Sequence, residues 1–174
     1  HSKAILTLAQ FYDKVASIQD KLEQPTQILI ARIADELPMP LSLLYPLTSG
    51  GKADKKPAGN GYMLWTDMVA AGKDTVLPKQ DGKFDDCGAI LYSGGTTGTT
   101  KGIMLSNLNF NALGLQTIAA SGFGSVAGMK MLSIMPVFHG FGLGIGIHTA
   151  LIGGATCILV PQFSVKIYAD VLKK

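Results

Sequence analysis

The chain is short of charge. Only 16% of its 174 residues are Asp, Glu, Lys or Arg, and the formal net charge is +3. With 47% hydrophobic residues, that balance is the reverse of a disordered segment's. Basic residues are too scattered for a nucleic-acid patch. The one small cluster, Lys52, Lys55 and Lys56, lies in a Gly/Pro-rich stretch and reads as a solvated loop. No nucleic-acid partner is therefore expected. Cysteine is equally scarce. Cys87 and Cys157 give neither metal-ligand spacing nor a disulfide framework, and Cys157 sits in an apolar run as a buried thiol would. No charged n-region precedes an apolar h-region. The expected location is the cytoplasm, with membrane association left open.

The lack of charge is most pronounced in one half. Between Lys101 and Lys166 the sole charged residue is Lys130. The run 131–160 is long enough to span a bilayer. Pro136, the Gly153-Gly154 pair, His139, His148 and a β-branched ending argue against that. The expectation is no transmembrane span. Instead these segments read as buried strands and helices of a protein larger than this chain, with peripheral membrane contact still open.

What is present alternates strand and helix. Residues 3–15 open apolar and turn helical, with Ala16, Ile18 and Leu22 extending the face and Pro25 ending it. TQILIARIADEL (26–37) opens on a continuous apolar run, as a buried strand does. Such alternation predicts βαβ units: an α/β fold with a mostly parallel sheet and flanking helices. Residues 38–61 are punctuated by Pro and Gly and predict a partly ordered crossover with a mobile tip near 50–60. Met63, Leu64, Met68 and Val69 suggest a short amphipathic helix ending at Gly72. A strand over Ala89–Tyr92 leads into a glycine-rich loop, and a second short strand follows at 102–106. Asn107 is the expected cap of a helix through Phe110, Leu113, Leu115 and Ile118. Strands are expected over 129–136 and 155–161, with a glycine-rich helix between them and a last helix capped by Ser164. No internal repeat is visible.

The loop carries the chemistry. YSGGTTGTTKG (92–102) holds four glycines, four threonines, a serine and a lysine. Glycines let backbone N–H groups curl into an anion nest. Ser93, Thr96, Thr97, Thr99 and Thr100 add rotatable O–H donors, and Lys101 adds a point charge suited to phosphate. It is not a Walker A loop, since Lys101 follows Thr100 and Gly102 stands where the Mg²⁺-binding hydroxyl belongs. Nor do the glycines fit the dinucleotide fingerprint. A purely structural hairpin remains open, but it needs neither the hydroxyls nor the lysine.

YSGGTTGTTKG resembles the phosphate-binding signature of the adenylate-forming (AMP-binding) superfamily, which includes acyl-CoA synthetases, luciferases and peptide-synthetase adenylation domains. Tyr92, Ser93, Gly95, Thr96, Thr97, Gly98, Lys101 and Gly102 match its pattern. Gly94 replaces a hydroxyl residue and Thr100 replaces a proline, which frees φ there. Gly-Gly without the proline is similar to the long-chain fatty acid–CoA ligase branch. MPVFHGFG (135–142) resembles the superfamily's P-x-[FY]-H motif. LSNLNFNALG and GGATCILVPQF also resemble the family, so the likeness covers most of 85–174; 1–84 fits more loosely.

The resemblance implies ATP held through Ser93, Gly94, Gly95, Thr96, Thr97, Gly98, Thr99 and Lys101. It implies that Phe138 and His139 border an acyl pocket. His148 lacks motif support and reads as structural. The implied reaction activates a fatty acid as acyl-AMP and passes it to CoA. Mg²⁺ is implied too, but its ligand Glu, in the family's Y-G-x-T-E motif, is expected outside this chain, as is the catalytic lysine. No catalytic residue and no metal ligand are assigned within it. The expectation is an internal fragment of one N-terminal adenylation domain, inactive alone, whose partners are fatty acid, ATP, CoA and the remainder of the parent chain. A free-standing phosphate- or nucleotide-binding module and a peptide-synthetase-like adenylation domain stay open.

Overall fold

The computed structural model describes residues 2–24, 26–79, 81–94, 98–160 and 163–173. The chain forms two compact units, 1–78 and 79–174.

In the first unit, β1 (Ala4–Leu8) passes through a 3-10 turn (Ala9–Phe11) into α1 (Tyr12–Gln19) and returns as β2 (Gln27–Ala31). β1 pairs with β2 in parallel, Ala4 opposite Gln27, so the expected βαβ unit is present. The apolar run of β2 is explained by its position as the central strand. Ile28 and Ile30 are each 1% exposed, and each contributes roughly 1.5–3 kcal/mol of burial. They pack with Ala9 beneath Tyr12, Val15, Tyr62 and Leu64. Tyr12 and Tyr62 meet edge to face at 5.2 Å.

The crossover carries three short helices, α2 (Ile33–Glu36), α3 (Leu41–Leu44) and α4 (Ser49–Ala53). Asp54 ties it down. Its buried carboxylate accepts the N–H groups of Ile33 at 2.9 Å and Ala34 at 2.8 Å, at the start of α2. Arg32 Nε donates to the Asp54 carbonyl at 3.1 Å. Part of the tip expected to be mobile is thus helical and anchored. β3 (Met63–Leu64) then joins β2 in parallel and leads into α5 (Trp65–Gly72). Met63 and Leu64 are therefore strand, not the first turn of the expected helix, because pairing with Leu29 and Ile30 supplies their partners.

The second unit opens with an antiparallel hairpin, β4 (Cys87–Gly94) and β5 (Thr100–Ser106). α6 (Asn107–Ala120) follows directly. Its cap is Ser106, not Asn107. Ser106 Oγ accepts the Asn109 N–H at 3.2 Å, and Asn109 Oδ1 accepts the Ser106 N–H at 2.9 Å. This reciprocal capping box satisfies two orphan donors, which Asn107 could not do from inside the helix. Asn107 Nδ2 instead donates to the Lys83 carbonyl at 2.9 Å.

β6 (Lys130–Ser133) and β7 (Thr156–Leu159) form a parallel pair. Between them run a π-helix (Phe141–His148) and α7 (Thr149–Ile152), and α8 (Val165–Leu172) ends the unit, capped by Ser164 as expected. Glycine makes the π-helix fit. A Cβ on Gly142 would strike the Pro136 carbonyl, one on Gly144 would come within 2.6 Å of Leu113 Cδ2, and one on Gly146 would strike Ser133 Oγ. That Ser133 hydroxyl is buried and has no hydrogen-bond partner among the described residues. Among the described residues, no helix is long and apolar enough to cross a membrane.

Candidate functional site

The hairpin register organises the loop. Ser93 lies opposite Lys101, Tyr92 opposite Gly102 and Gly94 opposite Thr100. Residues directly opposite share a face of the sheet. Ser93 and Lys101 therefore stand side by side at the base of the loop, on the face that also carries Leu91 and Ala89. Glycine is required at two points here. Gly98 has φ +79°, a backbone that L side chains avoid, and no heavy atom of the described residues near its Cβ position. Gly102 lies between cross-strand side chains, since a Cβ there would sit 3.2 Å from Ile90 Cγ2 and 3.3 Å from Tyr92 Cε1. Gly95, Thr96 and Thr97 lie outside the described residues. Ser93 is half-buried, while Gly94, Gly98, Thr99, Thr100 and Lys101 are exposed.

The second motif is a tight turn after β6. The His139 N–H donates to the Pro136 carbonyl at 3.0 Å, and the His139 carbonyl accepts the Leu143 N–H at 3.0 Å. The Phe141 N–H donates to His139 Nδ1 at 3.1 Å. An imidazole nitrogen that accepts carries no proton, so neutral His139 is the Nε2–H tautomer and Nε2 is its remaining donor. Phe138 is 79% exposed and lines a cavity of about 770 Å³ together with Ser133–Val137, Leu159, Val160 and Phe163. The cavity is almost wholly apolar and lies at the C-terminal ends of the parallel strands β6 and β7, where ligands of open α/β sheets bind.

The two motifs come together through Leu91 and Gly140. A Cβ built on Gly140 would lie 3.6 Å from Leu91 Cδ1, so the turn holding His139 touches the Leu91 face of the hairpin. Ser93 is two residues farther along the same face, about 7 Å away at strand spacing. No sequence signal marked Leu91 or Gly140 for this contact. His148 stays with the packing: its Nε2 lies 2.9 Å from Asn111 Oδ1 and its ring leans on Phe110 at 5.5 Å.

A hairpin whose sequence carries clustered glycines and hydroxyls, in contact with a Pro-x-Phe-His turn, points to a class. The AMP-binding enzyme family model matches residues 1–174, and the chain belongs to that family. Long-chain-fatty-acid–CoA ligase of Bacillus subtilis (strain 168) is 33% identical over 163 residues, 91% of this chain and 29% of that ligase. 4-Coumarate–CoA ligase-like 2 of Arabidopsis thaliana is 44% identical over 86 residues, 49% of this chain and 14% of that protein. ATP-bound MatB from Rhodopseudomonas palustris shares the fold with a TM-score of 0.66 at 23% identity, covering 99% of this chain and 28% of that one. The chain thus spans less than a third of the length of these relatives.

Proposed function

We propose that this chain supplies the ATP phosphate grip and one wall of the acyl pocket in an ATP-dependent acid–thiol ligase. The acid is a long-chain fatty acid and the thiol is CoA. All 174 residues belong, in this reading, to one adenylation domain, with 85–174 as its core and 38–61 as a crossover. The observation that carries the reading is the contact of Leu91 with the Gly140 turn, which brings the Ser93–Lys101 pair near His139.

The residues have distinct tasks. Ser93, Thr96, Thr97 and Thr99 offer hydroxyl donors, and Gly94, Gly95 and Gly98 let the backbone approach the β- and γ-phosphates. Lys101 supplies the charge. Hydrogen bonds to charged groups are worth about 1.5–3 kcal/mol each, so a few such donors suffice to orient a pyrophosphate leaving group. His139 donates Nε2–H to the carboxylate and aligns it, while Phe138 walls the chain behind it. The carboxylate oxygen bonds to the α-phosphorus as the bond to pyrophosphate breaks, giving acyl-AMP. The CoA sulfur then bonds to the acyl carbon, AMP leaves, and the thiol proton is lost. Among the described residues no three His, Cys, Asp or Glu side chains converge as a metal site, and the Mg²⁺ of this reading would take its ligand Glu from outside this chain.

The 33% identity over nearly the whole chain supports the fatty acid, and the apolar cavity suits it. An aryl acid is the second reading, supported by the 44% identity over 86 residues. The exposed Met104, Leu115, Phe123 and Leu151 support a unit that other parts of a larger protein cover. We place that protein in the cytoplasm or on a membrane surface. The test replaces the matching stretch of the B. subtilis ligase with this chain and follows ATP-dependent acyl-CoA formation with palmitate and with 4-coumarate. Turnover of palmitate is expected. Preference for 4-coumarate would favour the aryl reading, and an active isolated chain would refute the division of labour.

A further inference from the structure

The function proposed above needs the phosphate loop and the His139 turn at a fixed spacing, and two helices set it. α6 begins at Asn107, directly after β5, the strand that starts beside the loop. The π-helix begins at Phe141, directly after the His139 turn. How these helices sit along one another, together with the Leu91–Gly140 contact, therefore sets how far His139 stands from Lys101.

Their apolar contact chooses that register weakly. It is made by Gly144 under the flexible end of Leu113, with Gly114 of α6 against the Ile152 side chain and the Thr149 backbone of α7. Apolar burial is not directional, and a shift of one residue moves a helix by about 1.5 Å along its axis. One polar contact joins α6 to the π-helix among the described residues. His148 Nε2 and Asn111 Oδ1 are 2.9 Å apart. An amide oxygen only accepts, so His148 carries its proton on Nε2. Phe110 fixes the ring plane from below, at 5.5 Å and 57°. A cavity of about 480 Å³ opens beside the pair.

We propose that His148 and Asn111 are a positioning pair for the adenylation site: their hydrogen bond locks the register of the two helices and so couples the phosphate loop to His139. This rests on the function proposed above, and its test has an arm that does not.

The first arm measures amide hydrogen exchange at Phe141 and Leu143 in the 174-residue chain. Both N–H groups bond to His139, at its Nδ1 and its carbonyl; Leu143 borders the same cavity as Asn111 and His148, so Phe141 is the deciding probe. His148→Leu and Asn111→Ala should each raise exchange there about fivefold, the loss of one neutral hydrogen bond. The double variant should do no more than either single, and His148→Gln, which keeps a donor, should stay close to the parent. Changes confined to residues near 111 and 148, with Phe141 unmoved, would overturn the proposal. The second arm titrates inorganic pyrophosphate and follows the His139 ring resonances. They should respond in the parent and in His148→Gln but not in His148→Leu, at unchanged pyrophosphate affinity. A response that survives His148→Leu overturns the coupling. Failure of the parent chain to bind pyrophosphate would count against the phosphate grip, while the exchange arm still decides the pair.

Discussion

Replacing Gly98 by Ala tests whether the loop's backbone shape is what holds the anion. Gly98 sits at φ +79°, and a Cβ built there has no heavy atom of the described residues within 4 Å, so among these a methyl group meets no neighbour. The whole cost is conformational, about 1–2 kcal/mol for an L residue in the left-handed region. That cost must surface in one of two places. If the free loop holds its shape, urea unfolding loses the full amount. If the free loop relaxes, stability is kept and pyrophosphate binding weakens by roughly 5- to 30-fold. The sum of the two effects should therefore stay near 1–2 kcal/mol. Gly98→Asn should recover part of it, because Asn tolerates this region. Gly94 is the control: it lies in β4, also clear of the described heavy atoms, without a positive φ. Gly94→Ala should change stability by less than about 0.5 kcal/mol. Calorimetric titration and urea unfolding on the three variants decide the matter. A Gly98→Ala chain unchanged in both, or a Gly94→Ala chain that loses as much stability, would refute the reasoning.

Further outcomes follow from the packing. Gly142→Ala drives a methyl group into the Pro136 carbonyl, where no side chain can yield, and should cost about 1–3 kcal/mol in denaturant unfolding. Gly144→Ala meets only the movable end of Leu113 and should cost less, so equal losses would contradict the distinction. Ser133→Ala removes a buried hydroxyl that has no partner among the described residues, and should leave the unfolding free energy unchanged or raise it by about 1 kcal/mol. Asp54→Ala removes the acceptor of two N–H groups at the start of α2 and should cost about 2–3 kcal/mol. Asp54→Asn, with one oxygen left, should fall between Asp54→Ala and the parent. Nitrogen chemical shifts of neutral His139 should report the Nε2–H tautomer, and a dominant Nδ1–H form would remove the donor role given to this residue.

The sequence by itself determined the local chemistry. The glycines and hydroxyls beside Lys101 were legible as a set of anion donors because the donors are on the loop's own backbone and side chains. The apolar run of β2 and the β1–α1–β2 alternation were legible for the same reason: burial on both faces leaves a continuous hydrophobic stretch. Even there the cap of α6 lies one residue before the expected Asn107, since Ser106 and Asn107 are both good caps and only the return bond from Asn109 chooses between them. Tertiary structure decided what touches what. Strand register put Ser93 opposite Lys101, and a slip of one residue would have sent Ser93 to the other face. Leu91 against Gly140, Asp54 across to α2, and His148 beside Asn111 join residues 20 or more positions apart. Such contacts leave no periodic mark in a sequence, because they depend on how separate elements pack and not on how each one folds.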